Sequence, residues 1–281
     1  MSTVPGDRPK RYLYPRSNPG RRPPGWWYVG WVIYANRSAF LKGFILVGGV
    51  TAALIVAGLL AELSILAWVG VVIGAFGLVV LANSVIGLTL VYGPPARNYI
   101  KELLRLGDVD APVRVADLHI GTYRASYILA DLLPSAQIES VDLWDEDRYE
   151  TERALVLLRV LELVPTSEDR VSPGKAHDET LPLADDSCDA VVLGLGFHEI
   201  PAGASRDRVL SEAKRVLKPG GACLLFEHTV DLQSFLVFGT GIQHWVRRPE
   251  WVRLIEQTFG APVRHRRSWQ AVDLFSATGK D

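Results

Sequence analysis

Two cysteines in 281 residues leave little room for sulfur chemistry. Cys188 and Cys223 show no CxxC spacing and no histidine-rich partner, so the chain is neither a disulfide scaffold nor a zinc ribbon, and both read as buried thiols of a reducing compartment. No metal-ligand set is read elsewhere, and there is no internal repeat. The absence of charge is more telling. Residues 43–61 and 65–92 contain no charged side chain, and Glu62 stands between the two runs. A helix needs about 20 apolar residues to cross a bilayer core, so the runs predict a two-helix transmembrane hairpin. A cleaved signal peptide fits less well, because the first run starts far from Met1 and a second follows at once. No intramembrane charge pair suggests a pump or channel.

Basic residues are missing from the turn at 62–64 but crowd both flanks. Arg8, Lys10, Arg11, Arg16, Arg21, Arg22, Arg37 and Lys42 precede the hairpin against a lone acid, Asp7, and Arg97, Lys101 and Arg105 follow it. Lys and Arg collect on the cytoplasmic side of spans, so both ends of the hairpin are expected to be cytoplasmic. Trp26, Trp27, Tyr28, Trp31 and Tyr34, with Tyr92 at the far end, suit an aromatic belt at headgroup level. Formal net charge is only −1, and the placement of the cations points to anionic membrane lipid rather than nucleic acid. Small residues recur every fourth position at Gly49, Ala53 and Ala57, and again at Gly70 and Gly74, a spacing that lets helix backbones approach, either span on span or as a homo-oligomer of two chains. Asn83, the one strongly polar side chain of the second run, is expected to hydrogen-bond between helices.

Three parts are therefore expected: a basic, aromatic juxtamembrane segment over 1–39, whose first 25 residues read as poorly ordered, the hairpin over 40–93, and an α/β domain over 94–281. Gly93-Pro94-Pro95 stops the second span, because proline cannot continue a helix, and 98–106 has amphipathic spacing. Beyond it, strands are predicted at 113–118, 138–143, 171–176, 190–195 and 222–227, with helices at 126–133, 151–163, 206–217 and 251–259 and two closing strands within 264–277. Such alternation implies a parallel sheet covered by helices on both faces.

Four segments place a glycine or a carboxylate where a predicted strand runs out: 117–124 (DLHIGTYR), 140–144 (SVDLW), 181–193 (LPLADDSCDAVVL) and 216–228 (VLKPGGACLLFEH). In open α/β sheets, ligands bind at those carboxyl ends. The order and spacing of the segments resemble the class I S-adenosylmethionine (SAM) methyltransferases of the type 11 kind, and the LKPGG element is most similar to their ubiquinone and sterol methylating branch. The resemblance runs from residue 99 to the C-terminus. It implies a Rossmann-like seven-stranded sheet, SAM as cofactor and methyl transfer as the reaction.

The resemblance also implies site residues. The family's acid-x-Gly-x-Gly-x-Gly loop falls on Asp117, His119, Gly121 and Tyr123, so only the central glycine is kept. Thr122 and Arg124 are candidates to compensate, by a hydroxyl hydrogen bond and by pairing with the SAM carboxylate. Asp142 ends the second strand where an acid accepts from ribose hydroxyls, with Leu143 and Trp144 walling the adenine. His177 and Asp178 occupy the place of the family's adenine-binding acid. Gly196 is expected to let the cofactor approach, while His198 and Glu199 lie toward the acceptor, either as a general base pair or as a cap for the next helix. Glu227 and His228 close the fifth strand on that side. The apolar stretch at 231–251 reads as the substrate cover, with Arg247 and Arg248 holding its edge to anionic lipid. A membrane-held enzyme of this kind suits a lipophilic small-molecule substrate; the other class of reading is an inactive methyltransferase-like membrane scaffold or SAM sensor.

Overall fold

The computed structural model of the chain describes residues 25–120, 122–145, 153–161, 165, 170–177, 179–269 and 271–279. The expectation of disorder before residue 25 falls outside them, apart from Gly25 itself, which opens a helix. Helix α1 spans Gly25–Ala35, α2 Arg37–Leu60 and α3 Ser64–Tyr92. The latter two are long and apolar enough to cross a membrane. They form a hairpin whose contact face is set by small residues. A side chain on Gly58 would strike the Ala67 backbone, and Gly70 and Gly74 meet Thr51 and Ile55 of the facing helix, whereas Gly49 faces open space. The expected small-residue seam on the second span is therefore used span on span.

The remaining elements alternate as expected, with boundaries moved by one to five residues. In order they are α4 (Ala96–Leu106), β1 (Arg114–His119), α5 (Arg124–Leu132), β2 (Gln137–Asp142), α6 (Arg153–Leu161), β3 (Val171–Lys175), β4 (Cys188–Leu193), α7 (Ala204–Val216), β5 (Leu217–Glu227), α8 (Leu232–Phe238), α9 (Arg248–Phe259), β6 (Arg264–Arg267) and β7 (Asp273–Thr278). The seven strands lie in the order β3-β2-β1-β4-β5-β7-β6. The first five are parallel, and β7 is antiparallel to both β5 and β6. β3 carries Pro173, which an edge strand tolerates. Lys218–Gly221 bulge out of the β4–β5 register, and Lys218 pairs with Asp189 at 2.6 Å.

Alternate strand residues feed two cores. Leu118, Val191, Leu193 and Leu225 face α7 and α9, while Val115, Ile138, Val192 and Leu224 face α4 and α5. The chain reverses between β1 and β4, which makes their carboxyl ends the crevice where α/β sheets bind ligands. Asp117, His119, Asp142, Gly194 and Glu227 all lie at or near that edge.

A buried arginine helps tie the hairpin to the sheet domain. Arg124 is buried at the start of α5, and its guanidinium donates to the carbonyls of Val91 (2.7 Å) and Gly93 (3.4 Å) and to the Tyr99 hydroxyl (3.3 Å). A cation on the last carbonyls of a helix offsets their partial negative charge. This overturns the expectation that Arg124 pairs with a cofactor carboxylate, since its donors cap α3 instead. Arg248, expected to face lipid, likewise turns inward to the fully buried Asp273 at 2.8 Å; Arg247 stays exposed.

Candidate active site

On the cofactor side, burial without an opposing charge sets the chemistry. Asp117 is fully buried in β1 and accepts a hydrogen bond from the Ser126 hydroxyl. Ser126 Oγ lies 2.6 Å from Ser140 Oγ, and Ser140 Oγ 2.9 Å from His119 Nε2. Each hydroxyl has one proton to give. With Ser126 donating to Asp117, Ser140 donates to Ser126 and His119 donates from Nε2 to Ser140. Burial pushes the Asp117 carboxyl up to about 7 and the His119 imidazole down to about 4. The Tyr123 ring meets His119 edge-on at 4.8 Å. His119 thus points into a network inside the fold. Thr122 lies between it and α5, and Gly121 is outside the described residues.

Asp142 ends β2 as expected, but with partners the sequence did not reveal. Arg159 of α6 grips both carboxylate oxygens at 2.8 and 3.0 Å, and the Trp144 N–H donates at 3.0 Å. Burial works against the charged carboxylate here, and the Arg159 hydrogen bonds outweigh it, so Asp142 stays below its ordinary range. The same guanidinium covers the Trp144 ring, 4.6 Å from its centroid. Leu143 and Trp144 are both buried. His177 is exposed in a turn bridged to Thr180, and Asp178 lies outside the described residues.

Gly196 has φ +112°, a conformation side chains rarely adopt, and Ile120 occupies the space a Cβ would need. The glycine is explained by this turn and contact, and the expected approach of cofactor would have to displace Ile120.

The acceptor side is built around Glu227. This fully buried carboxylate accepts from the backbone N–H of Gly196 (2.8 Å), His198 (3.2 Å) and His228 (2.9 Å) and from His198 Nδ1 (2.8 Å). Burial opposes its charge, but His198 and these donors hold it below the ordinary carboxylate range. Burial likewise opposes charge on His198, yet Glu227 and Glu199 raise it to about 10. Glu199 Oε1 lies 3.3 Å from His198 Nε2 and 3.2 Å from His244 Nε2. Arg206 fixes the turn by donating to the carbonyls of His198 (3.0 Å) and Ile200 (2.8 Å). Both ring nitrogens of His198 therefore face carboxylates, Nδ1 toward Glu227 and Nε2 toward Glu199.

His228 has the opposite character, because burial brings it down to about 4. Trp245 stacks on its ring at 4.7 Å, Phe238 lies at 4.7 Å, and the Tyr92 hydroxyl is 3.2 Å from Nε2. Tyr92, read as part of the aromatic belt, therefore reaches this histidine from the last turn of α3. Its sequence position after an apolar run hides this; so does that of His244, which sits in a stretch read only as apolar cover.

The cover consists of α8 followed by a short turn of helix at Gly239–His244. α8 packs on α3, where Asn83 Nδ2 donates to the Leu236 carbonyl at 2.8 Å and Val237 fills the space beside Gly87. Asn83 thus does link two helices, though its partner belongs to the sheet domain. A cleft of about 350 Å³ is lined by Val230, Phe235, Ile242, Gln243, Trp245 and Arg247.

Residues 117–225 match the family described as methyltransferase domain. The chain is 34% identical over 116 residues to the ubiquinone/menaquinone biosynthesis C-methyltransferase of Syntrophotalea carbinolica, covering 41% of this chain and 43% of that protein. It is 29% identical over 154 residues to the malonyl-[acyl-carrier protein] O-methyltransferase of Methylococcus capsulatus, covering 55% and 49% respectively. The matches thus span about half the length of these relatives or less. Among solved structures, an O-methyltransferase family protein of Burkholderia thailandensis superposes with a TM-score of 0.47 at 18% identity, covering 71% of this chain and 60% of that one. Residues 117–225 are thus similar to a methyltransferase domain, and that segment holds the carboxylate at the end of β2 and most of the crevice between β1 and β4.

Proposed function

We propose that the protein is a membrane-anchored SAM-dependent methyltransferase acting on a lipophilic small molecule of lipid, quinone or isoprenoid type. The observation that carries this reading is the docking of α8, which borders the acceptor side, onto the apolar helix α3 at Asn83 and Gly87. A bilayer core takes up about 20 helical residues, so a span starting at Ser64 leaves the core near Asn83. The acceptor cleft then lies at headgroup level. Leu232, Phe235 and Leu236 of α8 and nearby Val230 are exposed apolar residues, suited to the bilayer boundary. A relative named for ubiquinone/menaquinone biosynthesis is in keeping with such an acceptor. In this reading residues 1–39 are juxtamembrane, 40–93 the hairpin and 94–281 the catalytic domain on the cytoplasmic side.

SAM, when bound, supplies an electrophilic methyl group on a sulfonium. The residues present fit it: Asp142 keeps lone pairs beyond those Arg159 and Trp144 use, and Asp117 Oδ1 is a buried oxygen without a hydrogen-bond partner among the described residues. We assign cofactor binding to Asp117, His119, Gly121, Thr122, Tyr123, Asp142, Leu143, Trp144 and Gly196, with His177 and Asp178 at the adenine edge. On the acceptor side, protonated His198, held by Glu227 and Glu199, keeps a positive charge beside the acceptor oxygen. Neutral His228 takes up a proton where the acceptor must lose one. Two histidines pushed to opposite proton affinities mark such a division of labour.

Radiolabelled SAM supplied to membranes containing the protein should leave label in the organic phase, and His228→Ala should abolish it. Label confined to aqueous metabolites or protein would sink the lipophilic acceptor. A reporter fused after Ser64 should be external and one after Pro95 cytoplasmic; finding both on one side removes the hairpin. The second reading, a scaffold or SAM sensor without turnover, is favoured by the His119 ring and the diversion of Arg124 to α3. SAM binding measured by calorimetry without transfer to any membrane fraction would support it.

A further inference from the structure

The acceptor side holds a cluster that its proton chemistry does not account for fully. His198, Glu199 and His244 come from two separate segments, the turn after β4 and the short helical turn after α8. Their ligand-capable atoms all lie within 4.8 Å of one another. Both imidazoles turn Nε2 toward one oxygen: Glu199 Oε1 is 3.3 Å from His198 and 3.2 Å from His244. Zinc-like cations bind such atoms at about 2.0–2.2 Å. Two ligands at that range and at tetrahedral to octahedral angles sit roughly 2.9–3.5 Å apart, which brackets both distances.

The supporting shell is of the kind metal sites use. A ligating histidine typically donates its other ring N–H to a carboxylate, which fixes its tautomer and orientation. His198 does this, donating Nδ1–H to Glu227 at 2.8 Å, and Glu227 is itself held by three backbone N–H groups. Arg206 clamps the carbonyls on either side of the turn. His198 and Glu199 are both nearly buried, while His244 is at the open edge with 40% of its side chain exposed. A cation can therefore enter from the cleft, whose lining includes Gln243 and Trp245 on either side of His244.

We infer that His198, Glu199 and His244 form a binding site for a divalent transition-metal cation, with positions left open for oxygen atoms of the methyl acceptor. Two imidazoles and one carboxylate suit zinc, cobalt, iron or manganese better than magnesium or calcium, which prefer all-oxygen shells. The cation would take the place of the proton that otherwise joins His198 to Glu199. The binding claim stands on the cluster alone. The acceptor-orienting role rests on the proposed methyl transfer and selects acceptors with an oxygen-bearing head group.

The test uses untagged full-length protein in detergent, stripped with chelator and titrated with Co²⁺, whose visible absorption reports nitrogen and oxygen ligation. One Co²⁺ per chain is expected, displaced by Zn²⁺. His244→Ala, at an exposed position that leaves the fold intact, should weaken binding at least 10-fold, and Glu199→Gln similarly. Glu227→Gln, acting through His198, should weaken it 10–100-fold. Asp185→Ala, at an exposed turn away from the cluster, should leave the cobalt spectrum unchanged. No ligand-field spectrum, or a spectrum unchanged by His244→Ala and Glu199→Gln, overturns the site. The two readings fail separately: cobalt binding without label in the organic phase removes only the lipophilic acceptor, and organic label without cobalt binding removes only the metal site.

Discussion

The two sides of the active-site edge are equally buried and reach opposite electrostatic outcomes. At the ends of β1 and β2, Asp117 rises to about 7 and His119 falls to about 4, because their close partners are neutral serine hydroxyls and burial dominates. At the ends of β4 and β5, Glu227 is lowered and His198 rises to about 10, because each lies against the other's charge. Desolvation disfavours charge in both places, and a contact ion pair reverses the result in only one. The β1–β2 side, where the cofactor is proposed to bind, is thus nearly uncharged apart from Asp142 and Arg159, whereas the β4–β5 side concentrates charge at Glu227, His198 and Glu199.

The largest effect should come from separating the charged pair. Glu227→Ala strands a buried imidazolium and three backbone donors, so it should destabilise the protein by about 3–5 kcal/mol as read by chemical denaturation in detergent. A loss below 1 kcal/mol would mean that His198 does not depend on this carboxylate.

The neutral side is broken by pH. Asp117 binds its proton more tightly folded than unfolded, so its contribution to stability falls as pH rises from about 4 to about 7. His119 works the other way, and its contribution rises between about 4 and 6.5. The two nearly cancel in the wild type. Asp117→Asn removes the first term, so its stability relative to wild type should climb by on the order of 4 kcal/mol across pH 4–7. A pH-independent difference would contradict the assignment of burial as the dominant cause.

Next in size is the cofactor contact. Asp142→Ala should weaken SAM binding by about 1–3 kcal/mol, the range for losing hydrogen bonds to a charged group. Asp185→Ala serves as the control, because this exposed acid pairs with Arg215 in a turn. Equal effects in calorimetry would place SAM elsewhere. The smallest effect belongs to the joint between hairpin and cover. Asn83→Ala loses one hydrogen bond to Leu236, worth about 0.5–1.5 kcal/mol. It should raise KM for a lipophilic acceptor with little change in kcat, and the reverse pattern would disconnect α3 from acceptor entry.

Much of the fold was legible because its cues are local. Apolar runs at 43–61 and 65–92 and strand-helix alternation from Val113 depend on neighbours two to four residues apart, and each appears as helices or strands; the glycines at 220–221 form a bulged start of β5 instead of a separate element. Asp142 and Glu227 were legible as strand-terminal acids. Their partners were not. Arg159 lies on a helix read only for its periodicity, and Tyr92 and His244 lie within apolar stretches where nothing distinguishes a site residue from a belt or a cover. Arg124 was misassigned because a basic residue beside a cofactor loop fits a carboxylate as well as it fits a helix C-terminus.

Sequence by itself determined which segments are apolar, which alternate, and where carboxylates end strands, since chain periodicity and turn chemistry are properties of adjacent residues. Only the tertiary structure decided which side chains meet. Asn83 reaches Leu236 across 153 positions, Tyr92 reaches His228 across 136, and His244 reaches Glu199 across 45. Such pairs form when crossover connections bring distant strand ends to one edge. The proton affinities follow from them: two buried histidines and two buried acids are alike in the sequence and become opposites once an ion pair or a serine is placed beside them.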